Sequence, residues 1–416
     1  MADAEQSTAG TALWVIVAAA TLTVMAGAIL GPVVPQIQSA LGVSDTAAGL
    51  IITTHGGVIV LASPAVGALI DRIGPRRPFL AGLAVYGLGG GAGLVVDSYL
   101  PLLASRVVLG VGTAAVYTSI TVLLYQLYEG QAMERALGYR SSANSAGAAV
   151  WPLVGGAAGT VSWNLPFAVY LVALPLGVIA LLTVPEPATA TKTPTASDNT
   201  EPTASDDTEP TTEATTTLRE RLTATATIFG RRPQLLAVYL LYFTANTLLY
   251  VVVVFYPQFL QGVGVESSAA ISLYLAANGA AGGVTAVAYD RLRSRASRLT
   301  LVGIAVGLWT IGFGSVSLIT TAGSALFPVV LFGAGIGLVF PSAFAWVEQF
   351  APSAKQGQFS AYLASVGYTG QFLAPVVFGP LVPGLGITGV FAVGGAVAAV
   401  GVVVVIATSR STDRHL

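Results

Sequence analysis

Residues 67–77 read Gly67-Ala68-Leu69-Ile70-Asp71-Arg72-Ile73-Gly74-Pro75-Arg76-Arg77, and the fold turns on how this stretch is read. It is a short charged corner between two long apolar runs, residues 47–70 and 79–96. A helix that crosses a bilayer needs roughly 20 mostly apolar residues. Backbone groups in lipid have no water partner, so such runs are helices or the strands of a closed barrel. Continuous apolar runs do not alternate with period two, which selects helices. Gly74 and Pro75 turn the chain, and Arg72, Arg76 and Arg77 mark one membrane face.

The rest of the chain repeats this unit. Of its 416 residues, 54% are hydrophobic and 9% charged, and the mean hydropathy is +0.77. Soluble domains carry about 25% charged residues, so a soluble globular enzyme is excluded. Twelve apolar stretches follow, at 12–35, 47–70, 79–96, 100–127, 138–160, 165–184, 235–256, 268–289, 299–319, 325–347, 359–381 and 387–407. Of the 18 Lys and Arg residues, 17 fall in even-to-odd connections or the tail, and the odd-to-even connections hold none. Positive charge marks the cytoplasmic side, so both termini are expected there, in the cell membrane.

The expected organisation is a cytoplasmic tail (1–11), a six-helix bundle (12–184), a linker (185–232), a second six-helix bundle (233–408) and a cytoplasmic tail (409–416). The linker is rich in Thr, Pro and acidic residues and has no large apolar residue over 185–217, so it is expected to be disordered. The first ten residues lack a basic n-region and do not read as a signal peptide. The two halves resemble each other: Gly110-Val-Gly112 returns as Gly333-Ala-Gly335, Gly147-x4-Pro152 as Gly370-x4-Pro375, and Asp71-Arg72 as Asp290-Arg291. Paired bundles of this kind place a site at the midplane between them.

The corner itself resembles motif A of the major facilitator superfamily, G-x-x-x-D-R-x-G-x-R-R, through Gly67, Asp71, Arg72, Gly74, Arg76 and Arg77. A reduced copy, Asp290-Arg291-x3-Arg295, sits at the equivalent place in the second half. The resemblance covers all twelve stretches. It implies an all-α membrane fold of two pseudo-symmetric six-helix bundles. It also implies that Asp71 caps the cytoplasmic end of helix 11, near 358–360, in an outward-open state. Arg72 and Arg76 would complete that charge network, and opening inward would break it. The glycines of the corner have their own physical reading: Gly67 would allow close packing at the mouth, and Gly74 a tight turn.

Arg106, in Arg106-Val-Val-Leu-Gly110-Val-Gly112, is the one basic residue outside the cytoplasmic clusters. An intramembrane charge points to function, and the spacing is similar to the family's motif B, whose Arg is implicated in proton coupling. The alternative is an Arg that snorkels to the outer surface. His55 is a second coupling candidate, or a histidine satisfied by a neighbouring helix. Gly138-x8-Gly147-x3-Trp151-Pro152-x2-Gly155-Gly156 is similar to motif C of the drug:proton antiporters, with Trp where the pattern has Gly. Its small residues would make a packing groove, and an indole at 151 would block the tightest contact.

Polar residues within the apolar stretches are candidate cavity liners: Tyr117, Asn144, Asn246, Tyr250, Asn278, Tyr362, Tyr368 and Gln371. Each could equally bond a neighbouring helix. As a set they suit apolar or weakly polar cargo. No Asp or Glu lies deep in a stretch. The run Gly89-Gly90-Gly91 lacks the Lys-Ser/Thr of a nucleotide loop, Cys is absent, and the two histidines stand far apart, so no cofactor, metal or catalytic set is expected. With 18 basic against 19 acidic residues, nothing points to nucleic acid. The expectation is a monomeric secondary transporter in the lipid bilayer, exporting small hydrophobic or amphipathic molecules in exchange for protons. Metabolite uptake and a non-transporting membrane sensor are the alternatives.

Overall fold

Helix starts and breaks follow local chemistry. Ser44 accepts a hydrogen bond from the Ala47 amide and Ser297 from the Thr300 amide, each opening a long helix. Proline stands inside several of the long helices, where it removes a backbone hydrogen bond and favours bending. The computed structural model describes residues 2–186, 229–230, 232–352 and 355–413. The expected linker falls almost wholly outside these residues.

Among the described residues the chain is helical apart from its turns and short connections, and it holds no strand. In the first half, α1 (Ala2–Ala28) continues through a 3-10 turn into α2 (Val34–Leu41). Then come α3 (Asp45–Ile73), α4 (Arg76–Gly91), α5 (Tyr99–Leu127), α6 (Gly130–Gly159) and α7 (Ala173–Thr183). The second half comprises α8 (Pro233–Gly262), α9 (Ser268–Arg293), α10 (Arg298–Ser315), α11 (Leu326–Phe350), α12 (Gln356–Phe378) and α13 (Val382–Asp413). Nine described segments are long and apolar enough to cross a membrane, and one of them, Gln356–Val403, contains both α12 and α13. Two further helices fall outside that count. One is α4, with 16 residues; the other is α6, which carries Glu134, Arg135 and Arg140 in its first turns. With these added, the set is consistent with twelve crossings.

Two boundaries differ from expectation. Helix six of the bundle begins as a 3-10 segment, Leu165–Val172, before α7. The fifth starts at Gly130 rather than 138, because its first turns are polar and carry no hydropathy signal. Arg140 therefore stands ten residues inside a helix, about 15 Å along its axis, and is not part of a connecting loop.

The halves meet along two helix pairs, α6 with α9 and α3 with α12. Under the internal repeat, α3 corresponds to α9 and α6 to α12, so the two seams are equivalent. At the end opposite the arginines both seams close through glycine. A methyl group on Gly156 would lie 2.4 Å from Ser272 Cβ, and one on Gly49 2.4 Å from Pro375 Cβ. Ser268 Oγ donates to Gly156 O at 2.9 Å across the first seam. Nearer the middle, a methyl on Gly279 would meet Ala148 O at 2.6 Å. Backbones this close leave no space for water or cargo, so that end is sealed.

Candidate functional site

Between the halves lies a cavity of about 790 Å³. Its walls come from α1, α5 and α6 on one side and α8, α9, α11 and α12 on the other. The deepest liners, Ala28, Val253 and Leu275, sit under the glycine seams. The outermost, Leu137, Ala286, Phe344 and Ala364, lie near the arginine-rich helix ends. The cavity therefore opens toward the arginines and is closed away from them.

Seven of the eight predicted liners are in this wall: Tyr117, Asn144, Asn246, Tyr250, Asn278, Tyr368 and Gln371. Gln371 Nε2 donates to Asn246 Oδ1 at 2.9 Å, and Asn246 Nδ2 to Tyr242 O at 2.9 Å, which fixes a polar strip along α8 and α12. Tyr117 and Tyr368 meet edge-on across the halves, centroids 5.8 Å apart. Asn144 Oδ1 is buried and has no hydrogen-bond partner among the described residues. Tyr362 is a correction. It accepts from Gln358 Nε2 at 2.7 Å and packs on Phe359, outside the cavity, because it projects from the α12 face turned toward its own bundle.

Among the liners that the sequence reading did not name, two are polar neighbours of predicted ones. Tyr242 stands one helical turn before Asn246 and shares its face. Arg140 stands one turn before Asn144, and that i, i+4 spacing was the available signal. Its NH1 donates to Thr121 Oγ1 at 3.0 Å, and its guanidinium carbon lies 5.3 Å from the Tyr117 ring centroid. Arg106 is thus not the sole arginine away from the loops.

Arg106 is fully buried, which overturns the snorkelling alternative. It sits within the first bundle and does not line the cavity. One NH2 donates to Gly90 O at 2.8 Å and Gly89 O at 3.3 Å, and Nε to Ser105 Oγ at 3.4 Å. The guanidinium lies over Phe167 and Tyr170 at 4.9 and 5.0 Å, while NH1 has no partner. His55 is also buried, its Nδ1 2.6 Å from Ile52 O, and lies beside the cavity wall without lining it.

The charged corner is disengaged. Asp71 and Arg72 are exposed, and among the described residues the Asp71 carboxylate has no hydrogen-bond or ion-pair partner. Gly74 makes the expected turn at φ 78°, in the left-handed region that favours glycine. Gly67 and Gly138 face open space, so the close packing expected of them is not made in this conformation. Arg76 does not reach the other half. It donates to Val184 O and Leu181 O at 2.7 Å and pairs with Glu186 at 3.3 Å, capping the end of α7. Arg77, Asp290, Arg291 and Arg295 are exposed and join no ion pair among the described residues.

The packing motif performs close approach, with one correction. Trp151 does not block it: the indole leans beside Gly147 and donates to Thr21 O at 3.0 Å. One turn on, a methyl at Gly155 would lie 1.8 Å from Ile29 O, so α6 meets the turn that follows α1 there. Pro152 lines the cavity, Gly156 and Pro375 close the two seams, and Gly370 packs on Phe243 O within the second half.

Two helical bundles with a glycine-sealed cleft define a class of membrane protein, and the family model of that class matches residues 16–375. The chain belongs to the Major Facilitator Superfamily. Over 150 residues it is 29% identical to the bacillibactin exporter of Bacillus subtilis, covering 34% of this chain and 37% of the exporter. Over 160 residues it is 29% identical to multidrug resistance protein 1 of the same organism, covering 38% of this chain and 40% of that protein. The quinolone resistance protein NorA of Staphylococcus aureus is 26% identical over 136 residues, 33% of this chain and 35% of that one. The chain thus matches about two fifths or less of the length of each of these relatives. In fold it is similar to the nucleoside transporter NupG, with a TM-score of 0.74 and 12% identity over 96% of this chain and 98% of that one. It is likewise similar to an inward-facing, unoccupied bacterial homolog of the human lysosomal transporter Spinster, with a TM-score of 0.73 and 16% identity over 96% and 95% of the chains.

Proposed function

We propose that this chain is a secondary active transporter of the cell membrane that works by alternating access. It exports small hydrophobic or amphipathic molecules in exchange for protons, as a monomer with both termini cytoplasmic. The observation that carries this reading is a cleft of about 790 Å³ between two like-built halves, open at one end and sealed by glycine at the other. Its volume falls within the roughly 300–1,000 Å³ of small-molecule sites, and its aromatic and amide lining suits weakly polar cargo. The names of the relatives, an exporter and two resistance proteins, support the outward direction.

With the arginine-rich end cytoplasmic, this structure is the inward-open state. The exposed Asp71, without a partner among the described residues, fits that assignment. In the outward-open state it caps the start of α12, where the helix dipole is positive, with Arg72 beside it. Proton coupling is assigned to Arg106 and His55, the buried ionisable groups of the first bundle. The test is purified protein in proteoliposomes, with imposed pH and sodium gradients and a panel of apolar, amphipathic and sugar-like cargoes. Cargo movement against its gradient, driven by protons and inhibited by collapse of the pH gradient, supports the reading. Movement driven by sodium, or none for any amphipathic cargo, removes it.

A further inference from the structure

Among the described residues that line the cavity, Arg140 alone carries a formal charge. It is no loop arginine, since it stands ten residues into α6 beside Tyr117. Among the described residues the single ion pair is Arg76–Glu186, so Arg140 has no carboxylate partner. Its one hydrogen bond uses NH1 and Thr121, leaving Nε and NH2 uncommitted. The facing walls offer neutral groups, and one turn deeper the buried Asn144 Oδ1 also lacks a partner. The repeat places Leu363 at the equivalent position in the second half, so the charge is not needed for packing a helix there.

We infer that the cavity selects amphipathic anions, an apolar body bearing one carboxylate, with Arg140 as the specificity-determining residue. The guanidinium fork matches a carboxylate in two parallel hydrogen bonds, and the Tyr117 face holds it in place. The apolar body lies against the tyrosines above. A cationic amphiphile of the same size meets an unpaired positive charge in a space with no acidic lining residue to offset it.

This inference rests on the proposed transport function but is tested apart from it, by binding. The probes are three pyrenes of one body and different heads: pyrenebutyrate, its primary amide and the trimethylammonium analogue. Binding is read by fluorescence with the full chain in phosphatidylcholine vesicles, which supply no anionic lipid. The expected order is carboxylate tightest and cation weakest. Arg140→Gln should weaken the carboxylate about tenfold to a hundredfold, the range for hydrogen bonds to a charged group, and leave the amide within about threefold. Arg140→Lys should restore part of the preference. Arg135→Gln, an exposed arginine bonded to Gln131, should change nothing. A cation bound as tightly as the carboxylate by the unaltered protein overturns the inference without any variant. So does a carboxylate preference that survives Arg140→Gln. If the heads are discriminated but no probe is moved across the bilayer, the transport reading falls and this one stands. Equal binding of the three heads by a protein that still moves them across the bilayer does the reverse.

Discussion

Arg106 shows what a single buried side chain demands. A guanidinium without a carboxylate is costly in a low-dielectric interior. Here two helix carbonyls and two aromatic faces surround it. The carbonyls come from Gly89 and Gly90, whose missing side chains let α4 approach: a methyl on Gly89 would lie 2.7 Å from Leu109 N, and on Gly90 2.4 Å from Tyr170 Cβ. A lysine reaches one carbonyl and stacks poorly. Arg106→Lys should therefore lower stability by about 1–3 kcal/mol, read as an earlier melting transition in detergent. If Arg106 also serves coupling, the same variant reconstituted at a temperature where it stays folded should move cargo without responding to a pH gradient. Intact coupling would leave Arg106 a structural residue. The sequence exposed the charge within an apolar run. It did not expose the partners, because carbonyls and ring faces belong to segments that come together only on folding.

Among elements, the seams α6–α9 and α3–α12 decide which end is shut. Glycine spacing made the packing stripes legible, and the tight approach at Gly155 and Gly156 followed it. The identity of the partner did not follow: Gly155 meets its own bundle and Gly156 the opposite one, although they are neighbours in sequence. Hydropathy likewise hid the first turns of α6, and with them the depth of Arg140. Gly156→Val adds a Cβ that would lie 2.4 Å from Ser272 Cβ and 2.6 Å from Ser268 O, with two methyl groups beyond it, so this closure is disfavoured while each bundle keeps its own packing. The chain has no cysteine, so a single Asn144→Cys reports directly on access. Labelling of that cysteine from the arginine-rich end should slow in the Gly156→Val background. Unchanged labelling would show that the seam does not control the opening.

For the whole molecule, the internal repeat and the charge asymmetry were readable because both are written in residue type at fixed intervals. The conformation was not, since one sequence serves every state of a cycle. Asp71 illustrates the difference: its motif was plain, yet its carboxylate has no partner among the described residues. Asp71→Asn should weaken only the proposed state in which it caps α12, by about 1–2 kcal/mol, a shift of roughly fivefold to thirtyfold in population. Turnover in proteoliposomes should fall with the amount of folded protein unchanged. Equal turnover would separate Asp71 from gating.

The two ends of the cleft thus close by unlike means. The glycine seams close by shape, through uncharged backbone contact, whereas the proposed latch at the other end is ionic. Dissolved electrolyte distinguishes them, because the Debye length shrinks from about 8 Å at 0.15 M to about 3 Å at 1 M. Concentrated potassium chloride should therefore tilt the resting population toward the conformation described here, making the ionic composition of the solution at the arginine-rich end itself a setting of the cycle.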